Sequence, residues 1–193
     1  NTSILFEPSI NFGTSGSVST SRDTTYHNDF DGTTRKLNDA YTDNSSTGDN
    51  VSARSMFLFR QRLGIPGRTL TAMVNLNVSV NNTAGINKNG TNVYDDLGAN
   101  IVDIKLVDQN YTNKNNSYGL NGRVTYTEPM GDNFYLEGNY SYNWNKSVSE
   151  KVTFDRTTGL QDYNFSNNIV NENHRQDIGF NALYQSAKLR AQV

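Results

Sequence analysis

The chain has 193 residues, of which 34% are hydrophobic and 19% charged, with a net charge of -2 and a mean hydropathy of -0.70. This charge balance lacks the basic clustering that nucleic-acid binding requires, and the absence of cysteine excludes disulfides, thiolate catalysis and cysteine metal sites. No stretch approaches the roughly 20 apolar residues of a membrane-spanning helix, while 11 Tyr, 9 Phe and 1 Trp are too many for a disordered chain.

The first part of the chain predicts two strands around a long polar loop. Residues 2–20 alternate between apolar even positions and polar odd positions, and Pro8 within them indicates an edge strand, a bulge or a strand start. Residues 21–50 are rich in Asp, Asn, Thr, Ser and Gly, and we expect a loop there. Residues 51–63 predict the second strand, and the GIPG sequence at 64–67 predicts a tight turn.

The clearest strand pattern lies at 68–80, where one parity is apolar and the other is almost wholly polar. Successive side chains of a β-strand point to opposite faces, so this strand has one apolar and one polar face. A strand that spans a bilayer needs about 9–11 residues with this alternation. The apolar parity consists of Leu70, Ala72, Val74, Leu76, Val78 and Val80.

The same rhythm continues to the end of the sequence. Residues 81–114 predict a second long loop, inside which the alternation at 102–106 suggests a hairpin that extends beyond the membrane. Strands are predicted at 116–127 and 134–148, with a short turn at 128–133 between them. A third loop covers about 156–172, followed by a strand at 178–184, a turn at 185–188 and the start of one more strand at 189–193.

Short turns are therefore expected after residues 63, 127 and 185, and long loops after 20, 82 and 155. This sorting is typical of outer-membrane barrels, which have short periplasmic turns and long outer loops. The sequence thus predicts an all-β, antiparallel up-and-down meander of about seven or eight strands. Closed bacterial single-chain barrels have an even number of strands, from eight upward. Residues 1–193 would therefore form a single segment of a larger transmembrane β-barrel, without a plug domain. A closed small barrel is the alternative.

Two sets of residues are candidates for functional roles. Charges on the polar parity avoid the roughly 2–4 kcal/mol penalty of a basic residue at the lipid midplane, and they could also line a solute path. Aromatic residues beside the predicted turns and loops match two interfacial girdles, although aromatics also favour strands in general. The lumen-facing charge candidates are Arg54, Arg60, Arg62, Arg123 and Glu137, and the interfacial aromatic candidates are Tyr118, Tyr126, Phe134, Tyr142, Trp144 and Tyr184.

One specific contact follows from the expected register of the 128–133 turn. If Tyr126 and Phe134 pair across it, Arg123 lies opposite Glu137. We therefore predict a cross-strand salt bridge between these two residues, which would contribute roughly 0.2–1 kcal/mol.

The sequence offers no catalytic, cofactor or metal site that outweighs a structural explanation. His27 and His174 are far apart, and metal or catalytic work needs clustered partners. Asp29 with Asp31, and Asp95 with Asp96, could supply oxygen ligands to Ca²⁺ but do not fit the twelve-residue EF-hand spacing. We expect solvated loop carboxylates, no cofactor and no enzymatic activity.

Three segments resemble the periplasmic hairpins of TonB-dependent outer-membrane receptors of the outer-membrane β-barrel family. They are RQRLGIPGRTL at 60–70, YTEPMG at 126–131 and FYLEGNYSY at 134–142. The resemblance implies nutrient uptake across the outer membrane of a Gram-negative bacterium. It also implies outer-membrane lipid, an unknown solute and the TonB complex as partners, the last through parts of a receptor that these residues do not include.

Two alternatives remain open at the level of sequence. The long Asn-rich segments could bind a glycan or a protein partner at the cell surface. A soluble secreted β-sandwich would instead bury the apolar parities of 68–80 and 134–148 against one another. A barrel segment would also have two open strand edges, which favour pairing with other copies.

Overall fold

The computed structural model describes residues 1–185 and 190–192, and within them the chain is a single antiparallel β-sheet. Each strand pairs with the next along the chain, so the spatial order equals the sequence order. This confirms the predicted all-β up-and-down meander, here with six long strands and a three-residue seventh. The strands are β1 Thr2–Asn28, β2 Thr34–Arg62, β3 Thr69–Tyr94, β4 Ile101–Pro129, β5 Phe134–Asp155, β6 Asn167–Gln185 and β7 Arg190–Gln192.

Two tight turns at one end of the sheet lie where the sequence predicts them. Residues 64–67 join β2 to β3, and a hydrogen bond from the Leu63 amide to the Arg68 carbonyl (3.0 Å) closes the hairpin. Gly64 (φ 65°) and Gly67 (φ 90°) adopt the left-handed region that glycine reaches without strain. Residues 130–133 join β4 to β5 at the same end, which we call the short-turn end.

The long loops predicted at the opposite end are mostly wrong. β1 continues to Asn28 and β2 begins at Thr34, so a five-residue turn replaces the expected loop at 21–50. β3 and β4 likewise fill most of 81–114 and leave a turn at 95–100, which bears out the hairpin extension suggested by 102–106. Only the third connection, 156–166, is a longer loop, and it is shorter than the predicted 156–172. We call this end the far end.

Polar side chains on both faces explain why these extensions escaped the pattern. Backbone ladder hydrogen bonds do not depend on apolar alternation, and polar cross-strand pairs support them. The Ser17 and Ser46 hydroxyls lie 2.9 Å apart, and Arg22 forms an ion pair of 3.0 Å with Asp43. The ladder is regular along both hairpins until single irregularities at Thr25/Tyr26 and Val93/Tyr94, beside the far-end turns.

The predicted salt bridge between Arg123 and Glu137 is wrong because the register differs from the expected one. β4 continues through Glu128 to Pro129, which lies opposite Tyr135. Arg123 is therefore opposite Ser141, and Glu137 lies four positions away along β5, about 13 Å at the usual rise of a strand. The Glu137 carboxylate instead accepts a hydrogen bond of 3.1 Å from the Asn181 amide.

The remaining strand predictions hold in part. Pro8 lies on β1, which has a strand partner on one side only within the described residues, so its position fits the predicted edge. Most of the predicted turn at 185–188 falls outside the described residues. Within the predicted strand at 189–193 the described residues 190–192 form β7, which bears out the start of one more strand. The described residues contain no helix that could span a membrane.

Candidate functional site

The register places most apolar residues of the six long strands on one side of the sheet, which we call the apolar face, while Leu5, Leu58 and Met73 form an apolar row on the other side. The opposite side is the polar face, and residues directly opposite one another across the strands form a row. Alternate residues in the following ranges make up what we call the apolar band. The band contains no charged residue, and Ser55 is its one polar residue that is not aromatic. The ranges are Ile4–Phe12 on β1, Val51–Phe59 on β2, Leu70–Val80 on β3, Tyr118–Tyr126 on β4, Phe134–Trp144 on β5 and Ile178–Tyr184 on β6.

Nothing in the described part of the chain covers the apolar band. No hydrophobic residue there is buried, and Phe12 and Phe180 are 78% and 75% exposed. Removing a side chain of this size from water contributes roughly 1.5–3 kcal/mol. A contiguous apolar surface that crosses six strands is far larger than the isolated patches of a monomeric soluble protein, so it needs an apolar environment or partner.

The six aromatic candidates all belong to the apolar band, and they fall near its two edges. Phe134 pairs directly with Tyr184 at the short-turn end, and Tyr126 lies in the next strand pair at the same end. Tyr118 and Trp144 lie at the other edge, with Tyr142 one row inside Trp144. The structure thus separates the aromatics into the two groups that the sequence predicts.

Two of the aromatics toward the far end, Tyr142 and Trp144, direct their polar atoms at a cluster of polar side chains on β5 and β6. The Tyr142 hydroxyl lies 2.8 Å from Nδ1 of His174. The Trp144 indole nitrogen donates a 2.8 Å hydrogen bond to Oε1 of Glu172, whose other oxygen lies 3.4 Å from Nζ of Lys146. Each ring therefore has an apolar body on the band and a polar atom beyond it, as interfacial aromatics require.

An ion pair at the short-turn end of the band was not foreseen from the sequence. The Arg68 guanidinium binds both carboxylate oxygens of Glu128, one of them at 2.8 Å through Nε, and the Tyr126 hydroxyl also donates to Glu128. Arg68 and Glu128 each flank a predicted short turn, so the correct register alone would have paired them. The ion pair lies just beyond the apolar band, between the band and the short turns next to β3 and β4.

All five charge candidates lie on the polar face, as their parity predicts, but the structure does not bring them together. Arg54, Arg60 and Arg62 follow one another along β2. Arg62 and Glu137 share a row three strand steps apart, which corresponds to about 14 Å. None of the five forms an ion pair within 4.0 Å in the region that the structure describes, and the polar face also carries Glu7 and the ion pair of Arg175 with Asp177.

The polar face between them is built mainly from uncharged amides and hydroxyls. The Asn75 amide donates to Asn121 at 3.4 Å, and Asn121 in turn donates to Asn143, which forms a ladder across three strands. Beside the ladder, Gly119 has no side chain, and the neighbouring Arg54 and Asn residues surround a hollow of about 340 Å³. The sequence pattern predicts only that these residues lie on the polar face. Which of them contact one another depends on the register between strands.

The titratable residues of the far-end turns have structural roles. His27 lies 3.1 Å from Asp29, and Asp31 accepts hydrogen bonds from the Thr33 hydroxyl and amide, which together lower its pKa. Asp95 accepts hydrogen bonds from the side chain and amide of Asn100 and from the Ala99 amide, and its pKa is lowered for that reason.

A metal site finds no support among these turns. Across residues 1–185, no three His, Cys, Asp or Glu side chains come together in a group that could hold a metal ion. Asp31 and Asp95 accept hydrogen bonds from amides of their own turns, while Asp29 and Asp96 lie 3.3 Å and 3.9 Å from the Arg35 guanidinium.

No protein-family model matches the chain, and no curated protein matches it at a significant level.

Proposed function

We propose that the chain forms part of the wall of an outer-membrane β-barrel, with lipid against the apolar face and the polar face toward the lumen. The observation that carries this proposal is the apolar band, which is continuous over six strands and uncovered in the described residues. Antiparallel meanders with one apolar and one polar face are what barrels require, since every spanning strand then pairs with its neighbours.

The height of the band supports lipid as the apolar environment. On β3 the band runs eleven residues, from Leu70 to Val80. The ten steps between them, at about 3.4 Å each and inclined by about 45°, span roughly 24 Å of membrane thickness, close to the approximately 25 Å apolar band of outer-membrane barrels. A β-sandwich would require a second layer over the same surface. The described residues form one layer, with the apolar parities of β3 and β5 side by side.

The single tryptophan of the chain provides a direct test of lipid contact. Trp144 lies on the apolar face at the far-end edge of the band. In phosphatidylcholine vesicles, we expect lipids with bromine on the upper acyl chain to quench its fluorescence. The double variant Trp144→Phe with Asn145→Trp moves the only tryptophan to the polar face and should be quenched much less. Equal emission of the unaltered chain in brominated and unbrominated vesicles would contradict the membrane proposal.

We further propose that this wall belongs to a TonB-dependent receptor for nutrient uptake in a Gram-negative bacterium. The resemblance of the two short-turn hairpins supports this part, and both turns lie at the same end of the sheet. In the source bacterium, deletion of the gene and deletion of TonB should impair growth on the same limiting nutrient. A set of limiting nutrients on which only the TonB deletion grows poorly would count against the uptake function.

A second function, binding of a glycan or protein at the cell surface, is favoured by one feature of the strand extensions. Beyond the band, small side chains between Val18, Ile86 and Phe154 leave a shallow, mainly apolar hollow of about 540 Å³. If this hollow binds a glycan, the chain should retain neutral oligosaccharides on an array. Ile86→Arg should abolish retention and Asn87→Arg, on the other face, should not. Equal retention by both variants would exclude the hollow as the binding site.

A further inference from the structure

The far-end edge of the apolar band does not follow the rows of the sheet. On the first three strands the edge residues lie directly opposite one another, but on β4, β5 and β6 the edge moves progressively toward the short-turn end. From β1 to β6 it moves by eight residues over five strand steps, from the row of Val80 to the row of Ala72. The edge residues, in strand order, are Phe12, Val51, Val80, Tyr118, Trp144 and Ile178.

Residues that share a row change from apolar to polar across this oblique edge. Three consecutive apolar-face residues of β3 are aliphatic, whereas the β6 residues in the same three rows are polar or charged. The pairs by row are Val74 with Gln176, Leu76 with His174, and Val78 with Glu172. A boundary that followed the rows would put this charged cluster at the same depth as the aliphatic centre of β3.

A tilt of the strands relative to the membrane produces this kind of drift. Strands lie about 4.8 Å apart and rise about 3.4 Å per residue, so a drift of 1.6 residues per strand corresponds to a tilt of about 48°. The edge at the short-turn end moves in the same direction, from Ile4 on β1 to Tyr184 on β6. That is six residues over the same five steps, which corresponds to a tilt of about 40°.

We infer that the lipid boundary crosses the sheet obliquely, along the line from Phe12 through Val80 to Ile178, and that everything beyond this line stands outside the bilayer. The inference rests on the proposed insertion into a membrane and adds to it which residues contact lipid. Both edges give a tilt close to the 35–45° of transmembrane barrel strands.

The polar contacts at the two edges agree with this line. The hydrogen bond between Trp144 and Glu172 and that between Tyr142 and His174 bridge from the edge of the band to residues beyond it on β6. At the opposite edge, Tyr126 reaches Glu128, which lies just beyond the band. Each contact therefore joins an aromatic ring on the lipid side to a polar group on the water side, the arrangement expected at a membrane interface.

Three single-cysteine variants distinguish an oblique boundary from one that follows the rows. The chain has no cysteine, so Val80→Cys, Val170→Cys and Ile178→Cys each carry one bimane label. Val80 and Val170 are both valines on the apolar face, and they share a row. The tilt accounts for about five of the eight rows between Val80 and Ile178, so it puts Ile178 about 8 Å deeper than Val80. It puts Val170, eight residues beyond Ile178, about 19 Å above Ile178 and outside the lipid.

In phosphatidylcholine vesicles with nitroxide on the upper acyl chain, we expect the label at 178 to be quenched at least as strongly as the label at 80. The label at 170 should be quenched by aqueous iodide and at least threefold less by the lipid nitroxide. Asn77→Cys, on the polar face, is the control for insertion and should escape lipid quenching. Circular dichroism of each variant in vesicles checks that the sheet has formed.

Other results have separate consequences. Equal lipid quenching at 80 and 170, with a different value at 178, would overturn the oblique boundary and leave membrane insertion standing. An absence of lipid quenching at all three positions would overturn the membrane proposal itself, and the oblique boundary with it.

Discussion

An arginine placed at the centre of the apolar band should be far more harmful than one placed on the adjacent residue. Leu76 lies on the apolar face of β3, between Leu70 and Val80, and is 46% exposed. Asn77 follows it in the chain, is also exposed, and lies on the polar face. The two substitutions Leu76→Arg and Asn77→Arg add the same charge one residue apart and differ only in the face that receives it.

The magnitude follows from the depth of the residue in the proposed bilayer. A basic residue at the midplane of a transmembrane barrel costs about 2–4 kcal/mol, and near an interface about 0–1 kcal/mol. Leu76→Arg should therefore lower the equilibrium constant for folding into lipid by about 30- to 700-fold, since each 1.4 kcal/mol is tenfold. Asn77→Arg should stay within about 0.5 kcal/mol, as exposed substitutions do. Val80→Arg, at the edge of the band, should fall between them.

Urea titration of the chain in phosphatidylcholine vesicles, followed by the emission of Trp144, measures these differences. The comparison of adjacent residues controls for the loss of strand propensity and for net charge, because all variants gain the same side chain. Equal unfolding free energies for Leu76→Arg and Asn77→Arg would refute the assignment of the apolar face to lipid. An ordering in which Val80→Arg is the most harmful would place the midplane elsewhere on β3.

Two further outcomes concern the turns. Gly67→Ala should destabilise the first short-turn hairpin by about 1–2 kcal/mol, because φ is 90° there and a Cβ would lie 2.8 Å from the Tyr135 ring. The control variant Gly122→Ala has open space around it and should be neutral or stabilising in the same urea titration. The pKa of Asp95 is lowered, chiefly by the Asn100 side chain, so its stabilisation of the far-end turn is complete above the ordinary value of 3.8 and is lost as the pH falls through the lowered folded-state pKa. Hydrogen exchange of the Asn100 amide should accelerate in that range, and Asp95→Asn should remove this pH dependence; unchanged exchange in the unaltered chain would contradict it.

The sequence predicts the strands of the band well because apolar alternation reports one face against a different environment. The same alternation is absent from the far-end parts of the strands, where polar residues occupy both faces. The sequence pattern therefore predicts loops at residues 21–28 and 81–94, although both segments are paired strands. Short polar side chains do not prevent a strand from forming. The two strands of each hairpin, once paired within the apolar band, continue to pair beyond it.

The candidate site shows the same division. Parity assigned all five charges and all six aromatics to the correct faces. Contacts across strands depend on where each turn ends, and the continuation of β4 through Glu128 and Pro129 was enough to replace the expected Arg123–Glu137 pair. The same register pairs Arg68 with Glu128 and builds the ladder of Asn75, Asn121 and Asn143, none of which parity alone can show.

The uninterrupted pairing of the long hairpins has a mechanical consequence for the proposed receptor. β3 runs 14 residues past Val80 before it ends at Tyr94, about 34 Å above the lipid boundary at a 45° tilt. Its register with β4 is unbroken from Thr69 to Val93, and the single irregularity at Val93/Tyr94 lies beside the turn at 95–100. In the proposed receptor the hairpin would act as a stiff lever, and a force applied at its tip, such as the capture of a large ligand, would be delivered as torque on the proposed barrel wall. Disordered loops of the same composition would absorb that force instead.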